Sequence, residues 1–253
     1  MTNPTTWINV FERRPDAALC LVCFPFAGGA SSAFFPLSRR VPPSVEVLAV
    51  QLPGRMNRLA EAPYLRMEDL IPDLAQALSP QLAGRRFAFL GYSMGAYIAF
   101  ELSRHLVRLR EPAPVHLVLC ASGAPQIRAA EDRSLAALPD ERFLASLQDA
   151  YGSLPREVLA DPELLRLLLP VLRADIAMYE AYRYADGEPL SLGISAYAGR
   201  SDQMVTRADV DAWREQTTGP FDARLFNEGH FFLGSGDFLG ALNKRLEALV
   251  AAL

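Results

Sequence analysis

The sequence predicts an α/β fold, with a mostly parallel central sheet covered by helices on both faces. Three observations lead to this prediction. Apolar runs of strand length alternate with helical patterns, a Gly-x-Ser-x-Gly motif joins one such strand to a helix, and polar residues of catalytic type follow two later strands. The 253 residues, 51% of them hydrophobic, suffice for one large α/β domain or two small ones. We expect a single domain over residues 1–253.

The first half of the chain alternates strand and helix patterns. A continuous apolar run, typical of a strand buried on both faces, occupies residues 17–24, and further buried strands are predicted at residues 45–51, 87–90 and 115–122. Helical patterns lie between them at residues 33–40, 67–82 and from the end of the serine motif to about 108. A short edge strand is expected at residues 7–10. This alternation favours a parallel sheet.

A helical insertion is predicted between the fourth and fifth buried strands. Residues 129–186 contain no strand pattern, and proline boundaries divide them into helical pieces at 140–150, 155–159 and 162–184. We expect this insertion to form a lid, with the apolar face of residues 164–172 covering an acyl pocket; extra packing is the alternative. The sheet pattern then resumes with strands at 190–198 and 221–226 and helices at 208–216 and 237–253.

Residues 91–95 read Gly-Tyr-Ser-Met-Gly at the junction of a strand and a helix. A nucleophilic serine on such a sharp turn needs neighbours without side-chain bulk, which Gly91 and Gly95 supply. The turn also places Ser93 at a helix N-terminus, where free N–H groups favour developing negative charge. The motif alone leaves open an ordinary turn that happens to contain a serine.

Asp202 and His230 each follow a later predicted strand, and Ser93 follows an earlier one. The C-terminal ends of parallel strands share one edge of the sheet, so the three residues are expected to meet there as a triad. His230 would accept the Ser93 proton, and Asp202 would orient the imidazole. Asp209 is a weaker alternative to Asp202. His105 and His116 fall inside a helix and a strand and are interpreted as structural.

An oxyanion hole completes the predicted chemistry. The N–H of Met94, directly after the nucleophile, is one expected donor. The second is expected from the loop after the first buried strand, where we favour the N–H of Ala27 with Phe26 as the alternative. No metal and no other cofactor is predicted.

Composition excludes several other functions. The net charge of −4 and the scattered arginines predict no nucleic-acid binding. Cys20 and Cys23 form Cys-x-x-Cys, but they lie within a strand pattern on opposite faces, which argues against a redox pair. Residues 1–14 are polar and no apolar run reaches about 18 residues. We therefore expect a cytoplasmic protein without membrane contact, and a monomer because coiled-coil heptads are absent.

With these residues in place, the chain resembles the type II thioesterases of polyketide and non-ribosomal peptide biosynthesis, which have the α/β-hydrolase fold. The matching segments run nearly end to end. They are residues 24–29 (FPFAGG), 51–55 (QLPGR), 91–95 (GYSMG), 169–175 (LPVLRAD), 199–202 (GRSD) and 228–232 (EGHFF). The chain departs from the family pattern at Met56 and Asn57, and at Phe26, where the family often has His or Tyr.

The resemblance implies an editing hydrolase that releases acyl groups from the phosphopantetheine of acyl or peptidyl carrier domains. Arg55 and Arg58 are candidates for docking an acidic carrier domain, although Arg55 could equally fix its own loop. Two further readings stay open at this point, because they use the same triad. They are a serine carboxylesterase or lipase, and an acyltransferase. A non-catalytic binding protein on the same fold is disfavoured by the intact set of three residues.

Overall fold

The computed structural model describes residues 7–128, 134–151 and 161–252. A seven-stranded sheet crosses the molecule in the order β1-β3-β2-β4-β5-β6-β7. Its strands are β1 (Ile8–Asn9), β2 (Leu19–Phe24), β3 (Val45–Val50), β4 (Phe87–Tyr92), β5 (His116–Cys120), β6 (Gly193–Gly199) and β7 (Phe221–Phe226). Within the described residues, only the short edge strand β1 pairs antiparallel, with β3, and the pairs from β3 through β7 are all parallel. The predicted mostly parallel α/β-hydrolase sheet is confirmed.

Helices cover both faces of this sheet. They are α1 (Phe35–Ser38), α2 (Met67–Leu82), α3 (Met94–Leu109), α4 (Asp140–Tyr151), α5 (Pro162–Ala181), α6 (Arg207–Asp211) and α7 (Gly236–Ala251). Side chains of α2, α3 and α6 pack in one core cluster, and side chains of α1 and α7 pack in a second. The sheet lies between the two clusters, as expected for strands that are apolar on both faces.

Strand β2 shows how the pleat divides the core. Cys20 belongs to the cluster with α2 and α3, whereas Cys23 belongs to the cluster with α1 and α7. Both thiols are buried and free. Burial raises the pKa of Cys20 to about 11, so this thiol is protonated near neutral pH. The side chains of Cys-x-x-Cys thus lie on opposite faces, as the sequence predicted.

Some element boundaries differ from the prediction. The helix expected at 33–40 is a 3₁₀ turn, Ser31–Phe34, followed by the short α1. The strand expected from residue 190 begins at Gly193, while Leu190 forms only an isolated bridge with Thr217. The helix expected at 208–216 is α6 continued by a 3₁₀ segment. The helix expected at 155–159 lies outside the described residues.

Helices α4 and α5 lie between β5 and β6 in the chain, where the insertion was expected. Among the described residues, four buried side chains join these helices in a small apolar cluster of their own, made of Phe143, Leu147, Leu172 and Ile176. Ala27, in the loop after β2, packs against that cluster. The two helices therefore cover the edge of the sheet at which β2 ends. Within the described ranges, no helix combines the length and the apolar character needed to cross a bilayer.

Candidate active site

Ser93 occupies a strained turn between β4 and α3. Its φ is 54°, a value that side-chain-bearing residues rarely adopt. A Cβ on Gly91 would lie 2.2 Å from the carbonyl oxygen of Gly95, and one on Gly95 would lie 2.2 Å from that of Phe24. Both glycines are therefore required sterically, as the sequence predicted. The N–H of Ser93 donates to the Cys120 carbonyl at 2.8 Å, which fixes the turn to the end of β5.

The structure brings Ser93, His230 and Asp202 within hydrogen-bonding distance. His230 Nε2 lies 3.2 Å from Ser93 Oγ, and His230 Nδ1 lies 2.8 Å from Asp202 Oδ2. The other oxygen of Asp202 accepts the N–H of Met204 at 2.9 Å. The Asp202 side chain is fully buried, so its two oxygens are held by these contacts. Such an arrangement can pass a proton from the serine to the imidazole.

The loops that carry Asp202 and His230 are in direct contact. Gly199 ends β6 just before Asp202, and a Cβ on it would lie 2.0 Å from the Gly229 carbonyl oxygen. Glycine at position 199 therefore allows the two loops to approach each other.

Asp209, the alternative to Asp202, instead accepts hydrogen bonds from the N–H and the hydroxyl of Thr206 in a capping box at α6.

A second set of serine, histidine and aspartate is connected by hydrogen bonds in a different order, with the serine in the middle. His116 Nε2 lies 2.8 Å from Ser195 Oγ, and Ser195 Oγ donates to Asp222 Oδ1 at 2.6 Å. The serine hydroxyl therefore donates a hydrogen bond to the carboxylate and accepts one from the histidine. Burial lowers the pKa of His116 to about 4, so the ring is neutral near pH 7. His116 and Ser195 are buried, and His116 is the first residue of β5, at the opposite end of the strands from Ser93.

The loop after β2 forms a tight turn beside Ser93. The Gly29 N–H donates to the Phe26 carbonyl at 2.8 Å, and Gly28 has a φ of +74°. Because φ is positive at the third residue and not at Ala27, this is a type II turn. Met94 and Ala27, the predicted oxyanion donors, both line the cavity at Ser93, and so does Phe26.

That cavity is small. It offers about 40 Å³, bounded by Ser93 and His230 on one side and by side chains of α4 and α5 on the other. The helical side chains are Leu147, Leu172, Ile176 and Tyr179. A volume of this size holds only a few water molecules.

The apolar lining differs in part from the prediction. Leu164 and Leu167 of α5 are exposed, at 36% and 50%, and only Leu172 of the stretch 164–172 lines the cavity. The lining continues one to two turns further along α5, at Ile176 and Tyr179. The apolar side chains of this helix change from exposed to buried along its length, because only its C-terminal half packs over the sheet edge.

Arg55 and Arg58 are not available for docking. They are 4% and 2% exposed. Arg58 pairs with Glu61 and lies over the Trp7 ring at 3.9 Å, and Arg55 pairs with Asp175 of α5. The docking prediction was therefore wrong for both residues, and Arg55 instead fixes loops around the site.

Sequence reasoning missed two residues that support the site. The Tyr92 hydroxyl contacts the backbone of the His230 loop, and Asp175 contacts the loop of Ala27. The sequence could have indicated Asp175, because it is a lone acid at helical spacing between the apolar residues Leu172 and Ile176. It could not have indicated Tyr92, because the partners of Tyr92 lie more than 130 residues away. Across the described parts of the chain, no cluster of His, Cys, Asp and Glu has a geometry suited to a metal ion.

The parallel sheet, the serine turn and the neighbouring histidine and aspartate loops define the chain as an α/β-hydrolase. The sequence profile of the family described as Thioesterase domain matches residues 20–249. The chain therefore belongs to the thioesterase family, and it is a serine hydrolase acting on thioesters.

Proteins similar to this chain include several that are named for biosynthetic pathways. Gramicidin S biosynthesis protein GrsT of Aneurinibacillus migulanus is 42% identical over 228 residues, covering 90% of this chain and 88% of GrsT. Thioesterase PikA5 of Streptomyces venezuelae is 40% identical over 227 residues, covering 90% and 80%. The solved type II thioesterase BorB, from the borrelidin biosynthetic cluster, matches with a TM-score of 0.87 and 34% identity, covering 97% of this chain and 100% of BorB.

Proposed function

We propose that this thioesterase is an editing enzyme that hydrolyses acyl groups from phosphopantetheine-bound carrier proteins of a polyketide or non-ribosomal peptide synthase. The observation that carries the proposal is the strained Ser93 turn, with His230 Nε2 at 3.2 Å and Asp202 behind the imidazole. Similarity to GrsT, PikA5 and BorB supports the biosynthetic setting.

The reaction has two halves. Ser93 Oγ attacks the thioester carbonyl as His230 Nε2 takes its proton, and the C–S bond then breaks to give a serine ester and the pantetheine thiol, which receives that proton. Water next attacks the ester with His230 again as base, and the carboxylic acid leaves as Ser93 is reprotonated. Asp202 stabilises the imidazolium at each stage. The serine-to-imidazole distance is at the long end for proton transfer and commonly shortens when substrate binds.

The N–H groups of Met94 and Ala27 are the proposed oxyanion donors. Met94 is the first residue of α3, where backbone N–H groups lack intrahelical acceptors. Ala27 belongs to the type II turn that faces the same cavity. Loss of one such donor typically costs about 10²–10³ in rate.

Helices α4 and α5 are proposed to act as the lid within a single domain. Their apolar side chains reduce the cavity at Ser93 to about 40 Å³. A pantetheine arm and its acyl group would have to displace them. With the substrate in place, these side chains would limit the access of bulk water to Ser93.

A panel of carrier proteins loaded with different acyl groups tests this function. Hydrolysis should release free acid and the holo carrier, and Ser93→Ala should abolish it. Matched oxygen esters and added acceptor alcohols or amines separate the alternatives. A clear preference for the oxygen ester would show a carboxylesterase, and acyl transfer to the acceptor in place of hydrolysis would show an acyltransferase. Unchanged hydrolysis by Ser93→Ala would remove Ser93 as nucleophile.

A further inference from the structure

Asp175 is a buried acid on the face of α5 that is turned toward the site. It is 1% exposed. Its two oxygens receive a bidentate pair of hydrogen bonds from Arg55, each 2.7 Å long. One of them, Oδ2, also accepts the backbone N–H of Gly28 at 2.7 Å. A carboxylate with three donors at this distance is strongly oriented.

Arg55 contacts the same turn from its other side. Beyond the two bonds to Asp175, its Nη1 donates to the Gly29 carbonyl at 2.9 Å and its Nε donates to the Pro53 carbonyl at 3.2 Å. The ion pair therefore binds the turn at two points: Asp175 accepts the N–H of Gly28, and Arg55 donates to the carbonyl of Gly29. This pair is removed from water, so neither charge has a substitute partner if the other is lost.

These bonds act on the two peptide planes that surround Ala27. In the type II turn, the Gly29 N–H to Phe26 carbonyl bond fixes the first plane. Because a trans peptide holds its C=O and N–H in opposite directions, the same bond sets the direction of the Ala27 N–H. The central plane, which contains the Gly28 N–H, is fixed by Asp175. If that plane rotated by half a turn, the Ala27 carbonyl oxygen would face the carboxylate and be repelled.

Helix α5 lies directly on this turn. A Cβ placed on Gly28 would be 2.8 Å from Leu172 Cδ1. Leu172, Asp175 and Ile176 share one face of α5 by their spacing, and the two apolar residues line the cavity at Ser93. The same helical face thus closes the cavity and anchors the turn.

We infer that Asp175, with Arg55 as its counter-charge, is a positioning residue for the reaction: it anchors the turn whose Ala27 N–H is the proposed oxyanion donor. The inference rests on the proposed role of Ala27 as oxyanion donor. Donors of this kind act only when their distance to the oxyanion is correct within a few tenths of an ångström. Asp175 acts through the turn and touches no reacting atom.

The test compares two double variants that both remove the buried charges, so that neither leaves an unpaired ion. Arg55→Met with Asp175→Asn keeps an oxygen that accepts the Gly28 N–H. Arg55→Met with Asp175→Leu has similar bulk and no acceptor. Both are assayed with p-nitrophenyl acetate and with an alkyl trifluoromethyl ketone, which serine hydrolases bind as an oxyanionic adduct. Thermal unfolding of both variants is followed in parallel.

The leucine variant should have a kcat about 10- to 100-fold below that of the asparagine variant, a fraction of the loss from removing a donor outright. Its KM should stay within about twofold, and its affinity for the ketone should fall by the same factor as kcat/KM. Glu46→Gln is the matched control, because Glu46 is also a buried acid paired with an arginine but lies near the start of β3. It should leave kcat unchanged.

Equal kcat values and equal ketone affinities for the two double variants would overturn the inference. Failure of the proposed function is a separate result, because it is shown by a wild-type enzyme that turns over p-nitrophenyl acetate and no acyl carrier thioester. In that case the comparison of the two variants still reports on Asp175.

Discussion

The hydroxyl of Tyr92 donates a hydrogen bond to the backbone carbonyl of His230, across 138 positions of sequence. The same oxygen accepts the N–H of Phe232 at 2.8 Å. Tyr92 is buried and immediately precedes Ser93. One side chain therefore ties the serine turn to the histidine loop, and the distance between Ser93 Oγ and His230 Nε2 depends on it.

Replacing Tyr92 with phenylalanine should lower kcat about 10-fold with little change in KM, because the ring still fills its place while the His230 loop loses its anchor. Two buried backbone groups lose their partner, so the free energy of unfolding should fall by about 1–3 kcal/mol. Steady-state kinetics and urea denaturation measure the two effects. Tyr197→Phe is the control: it also removes a buried hydroxyl, one that contacts Asp222 away from the site, and it should leave kcat unchanged. A full-rate Tyr92→Phe enzyme would contradict the anchoring role.

Alanine at Gly91 or Gly95 should inactivate the enzyme by more than about 10³-fold and destabilise it by several kcal/mol. Each added Cβ would lie 2.2 Å from a backbone oxygen that cannot move without distorting the turn. Acyl-ester turnover and thermal unfolding check this. Gly240→Ala in α7 has open space around its Cβ, and it should stabilise the protein by about 0.5–1 kcal/mol through helix propensity. An active Gly91→Ala variant would show that the turn tolerates bulk.

The pH dependence of stability should carry a contribution from His116. Burial is the main cause that lowers its pKa to about 4, with a smaller effect of Arg245 in the same direction, opposed by Asp222. The folded pKa lies below the unfolded value of about 6.5, so the unfolded chain binds more protons as the pH falls through this window. This loss of folding stability is absent above pH 6.5 and complete below pH 4, where it reaches about 3 kcal/mol.

Urea denaturation of wild type and His116→Gln at pH 7.0 and 4.5 measures that contribution. Between the two pH values, the wild type should lose about 2–3 kcal/mol more than the variant. His105→Gln, which changes a partly exposed histidine on α3, should follow the wild type closely. Identical pH dependence in His116→Gln and wild type would mean that the buried ring does not titrate as described.

Enlarging the cavity from the α5 side should shift the acyl-chain profile. Leu172→Ala removes a buried side chain that lines the space at Ser93, so kcat/KM for acyl groups two to four carbons longer should rise about 10-fold relative to acetyl. The substitution should also cost about 2–3 kcal/mol of stability. Leu167→Ala, on the same helix but 50% exposed, is the matched control and should leave the profile unaltered. An unchanged profile in Leu172→Ala would mean that the acyl group lies elsewhere.

The sequence by itself determined the parallel sheet, the serine turn and the order in which Ser93, Asp202 and His230 follow their strands. These features depend on local patterns, namely apolar runs, glycines beside a serine, and polar residues at strand ends. Strand ends in a parallel sheet meet at one edge, so local patterns were enough to bring the three side chains together.

Only the tertiary structure decided which charges are buried and which apolar residues reach the site. Arg55 and Arg58 looked like surface residues because arginine usually is one, but long-range partners stabilise both in the interior. Residues 164–172 of α5 are apolar apart from Arg166, yet the packing of α5 buries only its C-terminal half. Tyr92 and Asp175 support the site through hydrogen bonds that span 138 and 147 positions. Contacts of that range arise from the packing of whole elements, so the sequence can mark Asp175 as an unusual acid on an apolar helix face but does not specify its partners.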